Sequence, residues 1–157
     1  MTPEQRAFIL KAAKAALVAG CEYPTMWACE AAEESSYGTS LLAIQYSNLF
    51  GLKAHTHNDF GTANLPTREF LNSEWVSVTA KWEVYPGWPS CFADRLATLK
   101  RLANVYPNYK AALDAPDANA YIYAVSKTWS TDPKRAQKVF NIYQDFVTVE
   151  PDPYASA

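Results

Sequence analysis

The apolar positions at the start of the chain recur at the spacing of an amphipathic helix. Between residues 8 and 17 the apolar side chains fall three or four positions apart, which is the period of one helix face. Thr2 is suited to act as N-cap, Pro3 to occupy the first helical position and Gln5 to close a capping box. Gly20 is a typical C-terminal stop. The pattern therefore predicts a first helix that begins at Pro3 and ends at Gly20.

Two more helices are predicted before the sequence loses its periodicity. The second begins near Pro24 or Thr25 and runs through the segment MWACEAAEES, which is polar only at its end. The third is short, covers roughly residues 39 to 46 and has Thr39 or Ser40 available as its cap. Residues 47 to 65 contain glycines and asparagines without a regular period, so they are interpreted as a loop.

One region has the two-residue period of a half-buried strand. In the segment EWVSVTAKWEVY, positions 76, 78, 80, 82 and 84 are apolar and alternate with polar residues, so Glu83 falls on the polar face. The segment TREFL, which precedes Asn72 and Ser73, is the expected hairpin partner. The chain is therefore predicted to insert one small β-hairpin between two groups of helices.

The helical period returns after the hairpin. Helices are predicted at roughly residues 90 to 105, 117 to 128 and 133 to 147, the last with Asp132 as its cap and Pro133 at its first position. Residues 1 to 148 are expected to form one domain, and residues 149 to 157 a disordered tail. The predicted class is α+β, mainly α: a helical body and a small β-hairpin lobe, with a groove between them that suits an extended polymer.

Composition agrees with one globular domain and excludes several classes of function. The 157 residues carry a net charge of −2 without a basic stripe, which argues against nucleic-acid binding. The chain has neither a signal-like N-terminus nor a run of about 18 apolar residues, so no membrane partner is expected. If the chain is complete, it is made in the cytoplasm. A monomer is the default expectation. Cys21, Cys29 and Cys91 have neither disulfide nor zinc-site spacing and are predicted to be reduced, buried thiols.

Three acids crowd the end of the second predicted helix. Glu30, Glu33 and Glu34 lie within five positions, and Glu30 and Glu34 share one helix face. Acids near a helix C-terminus oppose the helix dipole and repel each other, so they do not help folding. They indicate either a solvated acidic face or, because a Ser-Ser-Tyr-Gly turn and a Phe-Gly loop follow, a carboxyl group placed beside aromatic rings. Such a group is suited to act as the general acid that glycosidic bond cleavage requires.

The segment EAAEESSYGTSLLAIQYSNLFGLKA resembles the N-acetylglucosaminidase domain of bacterial peptidoglycan hydrolases, glycoside hydrolase family 73, which includes flagellar rod-associated proteins and many autolysins. That family carries an Ala-x-x-Glu-Ser-Gly-Trp-Gly-x-Ser helix end followed by an Asn-Leu-Phe-Gly-Ile-Lys loop. The resemblance places the catalytic Glu at Glu34 and Tyr37 where the family often has Trp. Glu33 departs from the pattern, because its position is usually apolar.

The resemblance continues along the chain to about residue 146. The segment PTREFLNSEWVSVTAKWEVYPGWPSCFADRLATL looks like the family's Thr-x-Glu-Tyr hairpin, its Ala-x-Phe-Arg-x-Tyr strand and the helix start that carries Phe92 and Asp94. Glu69 takes the place of the second family carboxylate. The segment WSTDPKRAQKVFNIY resembles the family's Tyr-Ala-Thr-Asp-Pro segment, with Trp129 in the position of a substrate-contacting Tyr.

The resemblance implies a lysozyme-like fold with the glycan chain in the groove between body and hairpin. Glu34 would protonate the glycosidic oxygen. Glu69 would activate a water or stabilise the sugar cation, unless the N-acetyl group of the substrate acts as the nucleophile. Asp59 is a reserve candidate for the second carboxylate.

Four further residues are expected to bind substrate by resemblance. Tyr37, Phe50 and Trp129 would stack on sugar rings, although core packing is the alternative for each ring taken alone. Asn48 would hydrogen-bond an acetamido group.

A His-x-His motif, His55 and His57 followed by Asn58 and Asp59, raises the possibility of a metal site. Two histidines and one aspartate in such a loop more often form a solvated loop, and the family chemistry needs no metal. No metal and no cofactor are therefore expected.

The favoured hypothesis is hydrolysis of the β-1,4 bond between N-acetylglucosamine and N-acetylmuramic acid, so the partner would be the glycan strand of peptidoglycan. The alternatives are a muramidase or lytic transglycosylase acting on the same glycan, and a non-catalytic wall-binding module. The presence of both Glu34 and Glu69 argues against the binding module. The site of action would be the bacterial cell wall, reached as a phage lysin or by machine delivery, unless the chain is a domain of a longer autolysin.

Overall fold

Helices and one antiparallel hairpin make up the described part of the protein. The computed structural model describes residues 1–57 and 59–155. Its helices are α1 (Pro3–Ala19), α2 (Pro24–Ser35), α3 (Leu41–Tyr46), α4 (Trp88–Leu102), α5 (Pro107–Leu113), α6 (Ala118–Trp129) and α7 (Arg135–Val149). Its strands are β1 (Thr62–Leu71) and β2 (Glu74–Glu83). The predicted fold class, α+β and mainly α, is confirmed.

The first helix begins and ends as the sequence predicts. The Thr2 hydroxyl accepts a hydrogen bond from the Gln5 backbone N–H at 3.0 Å, and the Gln5 side chain accepts one from the Thr2 backbone N–H at 3.0 Å. Both halves of the capping box are therefore present. Gly20 ends the helix in the left-handed conformation, with φ 93°. The alanine-rich buried face of α1 packs against α2.

The hairpin is longer than the sequence predicts. β1 begins at Thr62, within the segment interpreted as a loop, and pairs with β2 along its whole length. Pro66 lies opposite Thr79, and a proline is tolerated there because each strand of a two-stranded ribbon has an open edge. Asn72 and Ser73 have φ values of 50° and 66°, as a two-residue type I′ turn requires. The predicted loop is therefore wrong for residues 62–65.

The base of the hairpin is bound to the body through the loop that follows α3. The Ala54 N–H donates to the Lys81 carbonyl and the Glu83 N–H to the Leu52 carbonyl, both at 2.9 Å. The apolar residues of β2 are half-buried on one face, as predicted. Glu83 is the exception, because the structure buries it although the alternation places it on the polar face. At the other end of the hairpin, the Trp75 side chain is 63% exposed.

The helices of the second half differ from the prediction at two places. The sequence pattern misses α5, because seven residues carry too little periodicity. α7 begins at Arg135 rather than at Pro133. Asp132 accepts a hydrogen bond from the Lys134 N–H at 2.9 Å and pairs with Lys138 at 2.7 Å, so it stabilises the turn before the helix instead of capping it.

The C-terminal segment folds back onto the body. Asp152 accepts hydrogen bonds from the Thr25 hydroxyl at 2.5 Å and from the Tyr143 hydroxyl at 3.0 Å. Tyr154 is half-buried and packs against the core. Side-chain hydrogen bonds and a packed ring thus hold Asp152 and Tyr154, which lie within the tail predicted for residues 149–157. Residues 156 and 157 lie outside the described residues.

Aromatic rings from α2, α4 and α6 form the centre of the core. Trp27 stacks on Tyr121 with ring centroids 5.6 Å apart and meets Phe92 at 6.4 Å. The three cysteines are free and buried, as predicted. Burial raises the pKa of the Cys91 thiol to about 12, which makes it an unreactive core residue near neutral pH. In the described ranges, no helix combines the length and the apolar character needed to cross a bilayer.

Two glycines with positive φ allow a matched test of packing at the turn after α2. A Cβ at Gly38 (φ 78°) would lie 2.8 Å from the Phe8 ring, whereas a Cβ at Gly51 (φ 64°) meets nothing within 4 Å. Both alanine substitutions strain the backbone, but only Gly38→Ala adds a clash. We expect Gly38→Ala to lower the free energy of unfolding by about 2–4 kcal/mol and Gly51→Ala by about 1–2 kcal/mol, measured by urea denaturation. Equal losses would show that the Phe8 ring yields without cost.

Candidate active site

Glu34 lies on the last turn of α2, directly before a tight reversal of the chain. The two residues after Ser35 have positive φ values of 51° and 56°, and Gly38 follows with 78°. The Ser35 hydroxyl holds this turn, since it donates to the Ala31 carbonyl at 2.6 Å and accepts from the Gly38 N–H at 2.9 Å. The serine next to Glu34 thus has a local structural role: it fixes the end of the helix that carries the carboxylate.

The Glu34 carboxylate is bound by a guanidinium group. Arg135, at the start of α7, donates from Nε to Glu34 Oε1 at 2.9 Å. The Glu34 side chain is 25% exposed, whereas that of Arg135 is 3% exposed. The carboxylate therefore reaches solvent while the cation that positions it is buried. The sequence predicts aromatic neighbours for Glu34, whereas its observed ion-pair partner is Arg135.

Behind Glu34, a buried charge network surrounds Glu30. Arg95 donates to both Glu30 oxygens, at 2.9 and 2.8 Å, and Arg135 Nη2 donates to Oε2 at 2.8 Å. The Tyr121 hydroxyl donates to Oε1. Burial alone would raise the pKa of Glu30, but the two guanidinium groups outweigh that effect and hold the pKa at about 2. Glu30 is therefore a structural anion rather than a proton donor.

Arg135 connects the buried network to the solvent-facing acid. Its Nη1 donates to the Ser126 hydroxyl at 2.8 Å, while Nη2 and Nε bind Glu30 and Glu34. Every guanidinium nitrogen is thus engaged, and the orientation of Nε–H toward Glu34 is fixed by the core. Sequence reasoning missed this residue. The available signal was Glu30, an acid within the apolar segment MWACEAA, because a buried carboxylate needs a cation as partner.

Glu69 lies on β1, opposite Val76 in the strand register. Its side chain is 41% exposed, and its Oε1 lies 3.6 Å from the Lys53 ammonium. An exposed ion pair of this kind contributes little stability, so it does not fix the carboxylate in one position. Among the described residues, no hydrogen bond joins Glu69 to Glu34. The two predicted catalytic residues are therefore not brought into contact.

Asn48 and Phe50 are core residues in this structure. Asn48 is 1% exposed, and its amide donates to the Leu52 and Glu83 carbonyls at 2.9 and 3.0 Å while its oxygen accepts from the Leu52 N–H at 3.0 Å. Phe50 is 3% exposed and packs edge-on against Phe92. In this structure the two side chains pack within the core and at the hairpin base, and the sugar contacts predicted for them stay a prediction.

Tyr37 and Trp129 are half-buried rather than enclosed, so both remain candidates for sugar stacking. Tyr37 packs edge-on against Phe8, with ring centroids 6.0 Å apart. The Arg95 guanidinium lies 4.3 Å from the centroid of the Trp129 ring, so this tryptophan covers the buried charge network.

His55 meets two acids from distant parts of the chain. Its Nε2 lies 2.9 Å from Asp94 Oδ2 on α4 and 3.7 Å from Glu83 Oε1 at the end of β2. Glu83 and Asp94 border a cavity of about 650 Å³, which His57 and Asp59 also line. Asn58, the remaining polar residue of the predicted loop motif, lies outside the described residues. Asp59, the reserve candidate for the second carboxylate, thus belongs to this cavity.

Comparison with known proteins shows which family the chain belongs to. The profile described as mannosyl-glycoprotein endo-beta-N-acetylglucosaminidase matches residues 11–147. The chain belongs to the glucosaminidase family. Its members are glycoside hydrolases, which agrees with the predicted resemblance to family 73.

Curated relatives share most of this glucosaminidase domain. A "Probable N-acetylmuramidase" of Lactococcus lactis subsp. lactis (strain IL1403) is 30% identical over 141 residues, which cover 86% of this chain and 31% of that protein. "Peptidoglycan hydrolase FlgJ" of Escherichia coli (strain K12) is 29% identical over 125 residues, covering 76% and 39%. The chain therefore spans about a third of the length of these relatives.

Solved structures of similar fold support the assignment. A C-terminally truncated glycoside hydrolase domain of FlgJ from Salmonella typhimurium superposes with a TM-score of 0.71 at 26% identity, covering 92% of this glucosaminidase chain and 98% of that one. The catalytic domain of the autolysin Auto from Listeria monocytogenes gives a TM-score of 0.80 at 23% identity, covering 97% and 89%. This second likeness shows a shared fold.

The pKa of Glu30 makes a prediction about acid stability. On folding, this pKa falls from 4.5 to about 2, so its contribution to the unfolding free energy is present above pH 4.5 and is lost as the pH falls toward 2. At neutral pH, Glu30→Gln should cost about 3–5 kcal/mol, because it leaves buried guanidinium charge uncompensated. The difference between wild type and variant should shrink on acidification, as measured by urea denaturation across this pH range.

The matched control for this experiment is Glu33→Gln, which changes an exposed acid on the same helix. Its effect on stability should be small at every pH. A gap between wild type and Glu30→Gln that stays constant down to pH 2 would contradict the role given to the buried carboxylate.

Proposed function

We propose that this glucosaminidase domain hydrolyses the β-1,4 bond between N-acetylglucosamine and N-acetylmuramic acid in peptidoglycan, with Glu34 as general acid. The observation that carries the proposal is the contrast between two acids one helical turn apart. Glu30 is buried and bound by two arginines, whereas Glu34 reaches solvent at the helix end and is positioned by one of them. Peptidoglycan as substrate is supported by the FlgJ relatives, which are named as peptidoglycan hydrolases.

The contact with Arg135 suggests how Glu34 acts. The guanidinium occupies Oε1, so Oε2 is the oxygen that holds the proton and presents it to the glycosidic oxygen. Because Arg135 is fixed by Glu30 and Ser126, the carboxyl group is held in one orientation before substrate arrives. A positioned acid of this kind typically contributes a factor of about 100 to 10,000 to the rate.

We assign Glu69 the second role, as the carboxylate that activates water or stabilises the sugar cation. Its exposed pair with Lys53 leaves it free to move with the hairpin when a glycan enters the groove. Tyr37 and Trp129 would offer ring faces to the sugars. The place of action would be the bacterial cell wall.

A second candidate function changes only the bond that is cleaved. The Lactococcus lactis relative is named as an N-acetylmuramidase, whereas the family profile is named for a glucosaminidase. A muramidase or lytic transglycosylase would use the same groove and the same acid on the other bond of the glycan. The product ends distinguish these activities.

Digestion of purified peptidoglycan followed by mass spectrometry tests the bond and the acid together. We expect wild type to release fragments with reducing-end N-acetylglucosamine. Glu34→Gln should lower the rate by about 100- to 10,000-fold while sedimentation with insoluble wall is retained. Glu33→Gln is the matched control, since it alters the adjacent exposed acid, and should keep the wild-type rate.

Each other outcome contradicts a definite part of the proposal. Reducing-end N-acetylmuramic acid or its anhydro form would assign the second candidate function. Loss of activity in Glu33→Gln alone would exchange the roles of the two acids. Equal behaviour of wild type and both variants would exclude catalysis by either acid.

The role of Glu69 is tested by comparing two acids on the hairpin. Glu69→Gln should reduce kcat by about 100-fold with little change in KM, because the group acts after substrate is bound. Glu74→Gln, an exposed acid beside the hairpin turn, should leave kcat unchanged. A Glu69→Gln variant with wild-type kcat would instead favour the substrate's own N-acetyl group as the nucleophile.

A further inference from the structure

Glu83 is a buried carboxylate that no lysine or arginine pairs with in the described chain. Its side chain is 2% exposed, and its ion-pair partner there is His55, whose Nε2 lies 3.7 Å from Glu83 Oε1. The same carboxylate oxygen accepts the His55 backbone N–H at 2.8 Å. Buried acids are rarely found without a cation, because an uncompensated charge in the interior is costly. The compensating charge must come from His55 or from a bound ion.

The two ring nitrogens of His55 face different partners. Its Nδ1 accepts the His57 backbone N–H at 3.1 Å. Its Nε2 lies 2.9 Å from Asp94 Oδ2 and 3.7 Å from Glu83 Oε1. One imidazole nitrogen therefore meets both carboxylates.

Arg101 also lines the adjoining cavity, so its guanidinium is a candidate counter-ion for Glu83 and Asp94. In the described chain, no ion pair joins its guanidinium to Glu83 or to Asp94. Among the described residues, these two clustered acids thus receive no positive charge from a lysine or an arginine.

We propose that His55, Glu83 and Asp94 bind a divalent metal ion, with Zn²⁺ as the best match. One ligand atom from each residue lies within 4.8 Å of the other two. A tetrahedral Zn²⁺ with bonds of about 2.0–2.1 Å separates its ligand atoms by about 3.4 Å. The two separations from His55 Nε2, 2.9 and 3.7 Å, lie on either side of this value. An imidazole ligand favours Zn²⁺ over Mg²⁺ or Ca²⁺, which prefer oxygen ligands.

The groups around the three ligands already orient them. The Tyr85 hydroxyl donates to Asp94 Oδ2 at 2.5 Å, and the His55 backbone N–H holds Glu83. Outer hydrogen bonds of this kind are typical of metal sites. The cavity of about 650 Å³ beside Glu83 and Asp94 provides the entry path and room for a water as fourth ligand. With the ion on Nε2, a ring proton on Nδ1 would open the contact with the His57 N–H.

The bound ion would act as a structural link. His55 lies in the loop after α3, Glu83 at the end of β2 and Asp94 on α4, so one ion ties the base of the hairpin to the helical body. The site does not include Glu34 or Glu69, and the proposal is independent of the reaction assigned to them.

Zinc binding to chelator-treated protein tests the proposal. Isothermal titration calorimetry should show one Zn²⁺ per chain, and Zn²⁺ should raise the Tm of wild type because it binds only the folded state. His55→Gln and Asp94→Asn should abolish both effects. Asp59→Asn is the matched control, because Asp59 lines the same cavity without being a proposed ligand, and it should retain them.

Two spectroscopic measurements test whether the metal ion binds at His55 rather than at a cysteine. Co²⁺ substitution should give the visible bands of a tetrahedral site without a thiolate charge-transfer band, which excludes binding to the buried cysteines. Nitrogen NMR of wild type should show the His55 ring resonances shift when Zn²⁺ is added, a result that does not depend on any variant folding. His55 resonances that stay unchanged, or Zn²⁺ binding that survives both ligand substitutions, would overturn the proposal.

Discussion

A buried carboxylate held by two guanidinium groups determines how the helices meet behind the candidate active site. Glu30 on α2 binds Arg95 on α4 and Arg135 on α7, and the Tyr121 hydroxyl on α6 completes the set. Removal of one member leaves the others as uncompensated buried charges, so the network specifies one arrangement of four helices. Because Arg135 also binds Glu34, the orientation of the solvent-facing acid follows from the packing of the core.

The hairpin lobe depends on a different kind of interaction. Asn48 binds backbone groups of Leu52 and Glu83, and the loop after α3 pairs with the end of β2. These bonds fix the base of the hairpin, while Glu69 lies further along β1 with only an exposed ion pair. The structure thus combines one carboxylate fixed by a buried arginine with one held by an exposed ion pair. This difference agrees with the proposal that Glu69 takes its catalytic position after a glycan has bound.

The sequence predicts local features well and long-range contacts poorly, for a physical reason. The capping box at Thr2, the apolar face of β2 and the turn at Asn72 each depend on residues close in sequence. The resemblance to the family located Glu34 at the helix end. The ion pair between Arg135 and Glu34 joins residues 101 positions apart, and no local pattern reveals such a partner. Asn48 matched a family motif, but its position did not show whether the amide faces a sugar or the backbone.

The network around Glu30 and the cluster of His55, Glu83 and Asp94 differ in how their negative charges are compensated. At the position of the arginine in the Ala-x-Phe-Arg-x-Tyr pattern, this chain has Glu83. An arginine there could pair directly with an acid on α4, whereas Glu83 places a second negative charge beside Asp94. The network around Glu30 contains its own cations, Arg95 and Arg135, and is complete within the fold. In the described chain neither Glu83 nor Asp94 forms an ion pair with a lysine or an arginine, and His55 is the side chain that meets both. The metal ion proposed above would add positive charge at this point.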